Sequence, residues 1–191
     1  MRVVKDPDTR KQEILEGALK VFAKKGYEKT TITDIAKELG ISQGLCYRYY
    51  PSKEEIYEAA LEEYADMIVN SNLKRFGKKG RSLKEKIKTF SGSVEEYREP
   101  EKSNELLYDL FHGQNSRKMH DQLMMKTASK LVPYIRKELQ EAKDKMEIDT
   151  ADIEALAYFF VYGQIGMLLE HGNEKDCNKR IQDFLIDMLK L

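Results

Sequence analysis

Residues 31–53 read TITDIAKELGISQGLCYRYYPSK, and this stretch decides the fold. Two short helical segments, about 32–39 and 43–50, flank Gly40-Ile41-Ser42, a joint of the length that a helix-turn-helix uses. The demands of that unit are steric and can be checked residue by residue. Ala36 supplies the small residue where the second helix crosses the first, and Gly40 tolerates the positive φ that the turn requires. The inward apolar positions fall on Ile35, Leu39, Ile41 and Cys46, with Tyr49 nearby. Thr31 and Ser42 can cap the two helices, and Asp34 suits the positive end of the first.

With the inward residues removed, the second helix presents Gln43, Gly44, Leu45, Tyr47 and Arg48. That is an odd face for water and a sensible one for DNA. A glutamine can bond adenine in bidentate fashion, and a leucine can touch a thymine methyl. Gly44 lets the backbone approach closely, while Tyr47 and Arg48 can reach phosphates, which position a protein without reading sequence. Lys53 places a charge beside the free N–H groups that open the next helix, a natural phosphate site. A glycine turn with a small crossing residue also suits an ordinary helical hairpin. The agreement of inward positions, caps and outward set favours the helix-turn-helix.

Outward from this stretch the pattern stays helical and strand signals are nearly absent. Helices are predicted at about 9–25, 53–76, 82–98, 102–112, 116–144, 150–171 and 174–190, about nine with the two already placed. Thr9/Gln12, Ser52/Glu55 and Ser82/Glu85 have capping-box spacing, and Gly26 suits the residue that ends the first helix. Pro133 is predicted to kink or split 116–144. The fold class is therefore all-α: a three-helix helix-turn-helix domain over 1–52 and a helical bundle over 53–191.

Residues 9–60 resemble the DNA-binding domain of the TetR family of bacterial transcriptional regulators. The resemblance rests on Ala18-x-x-x-Phe22, Gly26-Tyr27, Thr31-x-x-Asp34-Ile35-Ala36, Gly40-x-Ser42-x-Gly44, the aromatic run Tyr47-Arg48-Tyr49-Tyr50, and Ser52-Lys53-Glu54-Glu55. It covers about a quarter of the chain densely; the remainder agrees only in length and helical layout. It implies that Thr31, Ser42, Gln43, Gly44, Tyr47, Tyr49 and Lys53 contact DNA, mostly its backbone. Tyr49 is ambiguous, since spacing turns it inward while the family pattern lets its hydroxyl reach a phosphate. Two residues depart from the pattern. Cys46 stands where a larger aliphatic residue is usual, which suits packing and leaves redox sensing as an alternative. Gln43 stands where the family often has lysine, which exchanges a phosphate contact for a base contact.

A lone helix-turn-helix reads few base pairs, and two of them about 34–36 Å apart read a palindrome. The last two helices are the expected dimer interface, through Tyr158, Gly163, Gly166 and Met167 on one and Ile181, Phe184, Leu185 and Met188 on the other. Closure of the chain's own core would use the same residues. Met and aromatic residues in the middle helices suit a pocket for a hydrophobic small molecule, with Tyr97, Tyr108, Phe111, His112, Met125, Tyr158 and Tyr162 as candidates. Gln114 and Gln164 are further polar anchors. Each of these also fits a plain core position.

Other classes find little support. His112, His120 and His171 lack zinc spacing, and neither Cys46 nor Cys177 lies beside a histidine. No phosphate-cradling glycine loop, nucleophile elbow or dinucleotide fingerprint occurs, so no catalytic residue, metal or cofactor is expected. No signal peptide is visible, and the longest uncharged stretch, 155–169, falls short of the roughly 20 apolar residues of a membrane span. A cytoplasmic protein is expected. The reading is a homodimeric repressor of palindromic operator DNA, released by a small effector. The alternative is a ligand-independent DNA-binding or protein-interaction module with a solid C-terminal core.

Charge first argues against this and then for it. The 191 residues carry 33 Lys+Arg and 33 Asp+Glu. Residues 1–53 hold 11 basic and 7 acidic residues, and residues 54–191 hold 22 and 26. Neutrality is the sum of a basic head and an acidic body that phosphate would repel.

Overall fold

The computed structural model describes residues 6–76, 80–90, 105–112, 117–171 and 174–191. Every element among them is a helix: α1 (Pro7–Lys25), α2 (Ile32–Leu39), α3 (Gln43–Tyr49), α4 (Lys53–Phe76), α5 (Leu83–Phe90), α6 (Glu105–His112), α7 (Arg117–Asp144), α8 (Ile153–His171) and α9 (Cys177–Met188). The all-α class stands. The second half of the helix expected over 82–98, Tyr97 included, lies outside the described residues.

Local chemistry explains most boundaries. α1 starts earlier than expected because Asp6, not Thr9, is its cap. The Asp6 carboxylate accepts from the N–H groups of Asp8 and Thr9, both at 3.1 Å, and Pro7 occupies the first turn, where its missing N–H costs nothing. Ser82 and Glu85 form the reciprocal box predicted for α5: Ser82 N–H donates to Glu85 at 2.8 Å and Glu85 N–H to Ser82 Oγ at 3.2 Å. α8 begins at Ile153 rather than 150, because Asp152 accepts from Ala155 N–H at 2.9 Å. Pro133 does not split α7, which runs through it as one helix with Leu131, Val132 and Ile135 buried on either side of the proline.

The chain divides into two compact units. The first holds α1, α2, α3, α4 as far as Tyr64, α6 and the start of α7 as far as Asp121; it continues past Ser52 along the chain. Here α1 packs on α2 and α6. Ile14, Ala18 and Phe22 share the buried face of α1, as their spacing predicts, with Ile35, Cys46, Ile56, Tyr64 and Phe111 also buried in this unit. Gly17 is the close-approach point: a Cβ there would lie 2.6 Å from Leu39 Cδ2.

The second unit holds α4 from Ala65, α5, α7 from Gln122, α8 and α9. Val69, Ile87, Leu131, Leu139, Phe160, Ile181 and Leu185 belong to its core. Lys86 is buried and paired with Glu138, so its charge is matched where water is scarce. α8 is 19 residues long with a mean hydropathy of 1.2 in its most apolar window, so by length and composition it is long and apolar enough to cross a membrane, beyond what 155–169 alone suggests. It nevertheless buries Ala157, Phe160, Val161 and Gln164 within the chain.

Replacing Gly17 by alanine tests the α1–α2 approach. Overpacking costs about 1–3 kcal/mol, more than the roughly 1 kcal/mol that alanine gains over glycine in a helix. Thermal unfolding of Gly17→Ala is expected to show a lower Tm; a higher one would mean that Leu39 moves aside freely.

Candidate nucleic-acid interface

The site is built from two capped helices and a left-handed turn. Thr31 caps α2 through a reciprocal box with Asp34: Thr31 N–H donates to Asp34 Oδ2 at 3.0 Å, and Asp34 N–H donates to Thr31 Oγ1 at 3.2 Å. Lys25, in the last turn of α1, pairs with the same carboxylate at 2.6 Å. The Lys25 ammonium, followed by the Thr31 hydroxyl and N–H, pulls the Asp34 carboxyl down to about 2. The sequence suggests only a dipole role for Asp34; the structure makes it the knot joining α1 to α2.

Gly40 then takes φ 62° and ψ 32°, and the N–H of Ile41 donates to Ala36 O at 3.0 Å, closing α2. Ser42 Oγ accepts from Leu45 N–H at 3.2 Å and starts α3. Cys46 is completely buried, which pushes its thiol up and away from the reactive thiolate, as packing requires. Tyr50, not Tyr49, is the buried tyrosine of the aromatic run; Tyr49 is half-buried.

Gln43, Gly44, Tyr47 and Arg48 are exposed on α3, while Leu45 is partly covered. Gln43 and Lys53, like the capping Thr31 and Ser42, have partners within the chain. The Gln43 amide nitrogen donates to the Thr33 hydroxyl on α2, a contact that sequence spacing alone does not reveal. Lys53 Nζ donates to Tyr27 O at 2.9 Å and to Glu28 O at 3.4 Å, and sits 4.3 Å from the centre of the Tyr27 ring. Its charge therefore first organises the α1–α2 loop. Tyr27 in turn meets Glu54 at 3.4 Å, and burial followed by that carboxylate raises its hydroxyl to about 12.

The expected dimer residues separate into two sets. Ile181 and Leu185 point into the chain's own core and Met167 is packed against it, so these three do not form the outer face. On the adjacent stripe of the same helix, Phe184 and Met188 are 65% and 42% exposed. On α8, Tyr158 is 48% and Phe159 76% exposed, and Cβ atoms added at Gly163 and Gly166 would meet nothing within 4 Å. The Tyr158 and Tyr162 rings stack along this face, 5.9 Å apart and 9° from parallel. Phe159 escaped the sequence reading, although Phe159, Gly163 and Gly166 repeat at helical spacing.

The expected pocket residues fall in different units, apart from Tyr97, which lies outside the described residues, as does Gln114. Tyr108, Phe111 and His112 belong to the first unit. Phe111 is completely buried, its ring 5.9 Å from Tyr57 and 5.4 Å from Tyr64, so it fills core rather than lining a void. His112 stacks on Tyr108 at 4.7 Å and meets the edge of His120 at 5.0 Å. In the second unit Met125 and Tyr158 are about half exposed, and Gln164 donates to Phe160 O of its own helix at 2.6 Å. An open depression of about 560 Å³ beside α9, lined by Asp183, Phe184, Ile186, Asp187, Lys190 and Leu191, contains none of the expected pocket residues. Among the described residues no three His, Cys, Asp or Glu side chains gather as a metal site.

The first unit thus defines a helix-turn-helix protein. The family profile described as "Bacterial regulatory proteins, tetR family" matches residues 14–60. The HTH-type transcriptional regulator YerO of Bacillus subtilis is 43% identical over 61 residues, 32% of this chain and 21% of YerO. The biofilm operon icaADBC HTH-type negative transcriptional regulator IcaR of Staphylococcus epidermidis is 35% identical over 60 residues, 31% of this chain and 32% of IcaR. The chain thus matches only about a fifth to a third of these relatives' length. In overall fold it is similar to the flavonoid-responsive regulator FrrA, with a TM-score of 0.66 over 96% of both chains at 18% identity. Residues 14–60 thus carry a DNA-binding domain of the TetR type.

The Asp34 knot carries a pH signature. A carboxyl lowered from near 4 to about 2 contributes stability that is present above about pH 4 and lost as pH falls through about 2. Asp34→Asn is expected to melt below the native chain at pH 5–7, with the gap closing toward pH 2. A gap independent of pH would remove the charge from the explanation.

Proposed function

We propose that this chain is a homodimeric transcriptional repressor that inserts α3 into the major groove of a palindromic operator. The observation that carries the reading is the pairing of a fully buried inner face, Ala36 and Cys46 at the crossing, with an exposed set of Gln43, Gly44, Tyr47 and Arg48. Gln43 reads a base edge, Leu45 touches a thymine methyl, and Tyr47, Arg48 and the hydroxyls of Ser42 and Tyr49 take phosphates, while the Thr31 hydroxyl is committed to Asp34 and its part is to hold the start of α2. Lys53 serves the phosphates indirectly by fixing the loop before α2, and its remaining N–H is available to one. The repressor sense follows the naming of IcaR as a negative regulator. No catalytic step and no cofactor form part of this function, and its place is the cytoplasm.

The dimer in this reading forms across the outer face of α8 and α9, where Phe159, Gly163, Gly166, Phe184 and Met188 are uncovered. Large apolar groups of this kind mark association surfaces. Two glycines permit close helix approach, and an α8 so covered has no need of a membrane.

Release by a small hydrophobic effector completes the proposal, supported by the flavonoid response named for FrrA, which has the same fold. An effector lowers DNA affinity only if it prefers the DNA-incompetent arrangement. The packed core of Leu131, Leu139 and Phe160 in the second unit favours the second reading, a DNA-binding protein whose C-terminal part is solid and binds a protein partner.

Arg48→Ala is expected to weaken binding to every duplex alike and to reduce the slope of log K against log salt by about one; an unchanged slope would remove Arg48 from the phosphates. In sedimentation at micromolar concentration, the native chain is expected at twice the 22.3 kDa of one chain. Phe159→Asp with Phe184→Asp is expected to return it to one chain mass while preserving helicity. A native chain sedimenting as a monomer would overturn the dimer.

A further inference from the structure

Gln43 opens α3 and Thr33 lies in the first turn of α2, both at the exposed surface, and the Gln43 amide nitrogen donates to Thr33 Oγ1 across the joint. This contact fixes more than a position. A glutamine amide has two N–H donors and one carbonyl acceptor. Left free to rotate, it can offer both N–H groups, a match for the two acceptors N7 and O6 of guanine. It can equally offer one N–H with the carbonyl, a match for N7 and the N6 amino group of adenine. With one N–H spent on Thr33, the amide keeps one donor and one acceptor. That is the adenine pattern.

We propose that Thr33 is a specificity-determining positioning residue: by accepting a hydrogen bond from Gln43, its hydroxyl holds the amide in the donor–acceptor orientation that selects adenine over guanine. The proposal rests on the reading of α3 as the groove-entering helix. Thr33 suits the task because β-branching restricts its χ1, so the hydroxyl is a stiff post rather than a mobile partner. It also removes part of the entropy cost of ordering a long glutamine side chain, a cost otherwise met on binding. Thr33 is not the cap of α2, which is Thr31, and it is exposed, so its hydroxyl can be removed without emptying the core.

The test uses the full chain. Duplexes are first selected from random sequence by the native protein, and the base pair whose preference disappears in Gln43→Ala is identified. Adenine and guanine duplexes at that pair then compete for the native chain, Thr33→Val and Thr33→Ser, with Tm measured for each. The native chain and Thr33→Ser, which keeps the acceptor, are expected to prefer adenine. Thr33→Val is expected to lose that preference by about tenfold with little change in Tm, and to add nothing further when combined with Gln43→Ala. A Thr33→Val ratio equal to the native one overturns the proposal. So does an equal loss for both bases, which would make Thr33 a phosphate contact, and so does a Gln43→Ala variant with unaltered preference at every position. A native chain that enriches no duplex overturns the DNA-binding reading itself, and this proposal with it.

Discussion

The presentation of α3 depends on a turn that only a residue without a Cβ closes at low cost. Gly40 stands at φ 62° with open space around its missing Cβ, so the constraint is the backbone conformation and not the room available. An L-residue in that region costs roughly 1–2 kcal/mol. From this turn the rest follows in order. Ile41 N–H returns to Ala36, the direction of α3 is set, Cys46 goes inside, and Gln43, Tyr47 and Arg48 are left outside.

A second network holds the base of the unit. Phe22, Tyr27, Tyr57, Phe111 and Tyr64 form a run of rings with successive centres 5.0 to 5.9 Å apart, reaching from α1 through α4 to α6. Lys53 ties its Tyr27 end to the loop before α2, and His112 continues its other end. Edge-on and tilted ring contacts are directional, so these rings fix how α1, α4 and α6 pack on one another.

Much of this was legible because the punctuation lies in the sequence itself. α2 and α4 begin where Thr31 and Ser52 place them, and the inward set around Ala36 and Cys46 follows from spacing. What was not legible is tertiary. Thr9 and Gln12 have capping spacing, yet Asp6 and Pro7 one turn earlier open α1. The fit of Gly17 against Leu39 joins residues that no periodicity connects. Lys53 reads as a phosphate ligand, and spacing gives no sign of the Tyr27 carbonyl that its ammonium also bonds. On α9, apolar residues occupy two faces, and spacing alone could not tell that Ile181 and Leu185 face inward while Phe184 and Met188 face out. Met and aromatic residue types suit a pocket, but type does not separate a core filler such as Phe111 from a cavity wall.

The claim on which all else rests is that residues 31–49 form the face that meets DNA. Hydrogen–deuterium exchange of the full chain, in low salt with and without a mixed-sequence duplex, tests it most directly. Slower exchange concentrated in residues 31–35 and 42–49 is the result this account predicts. Slowing confined to α8 and α9, or no change anywhere, would contradict it.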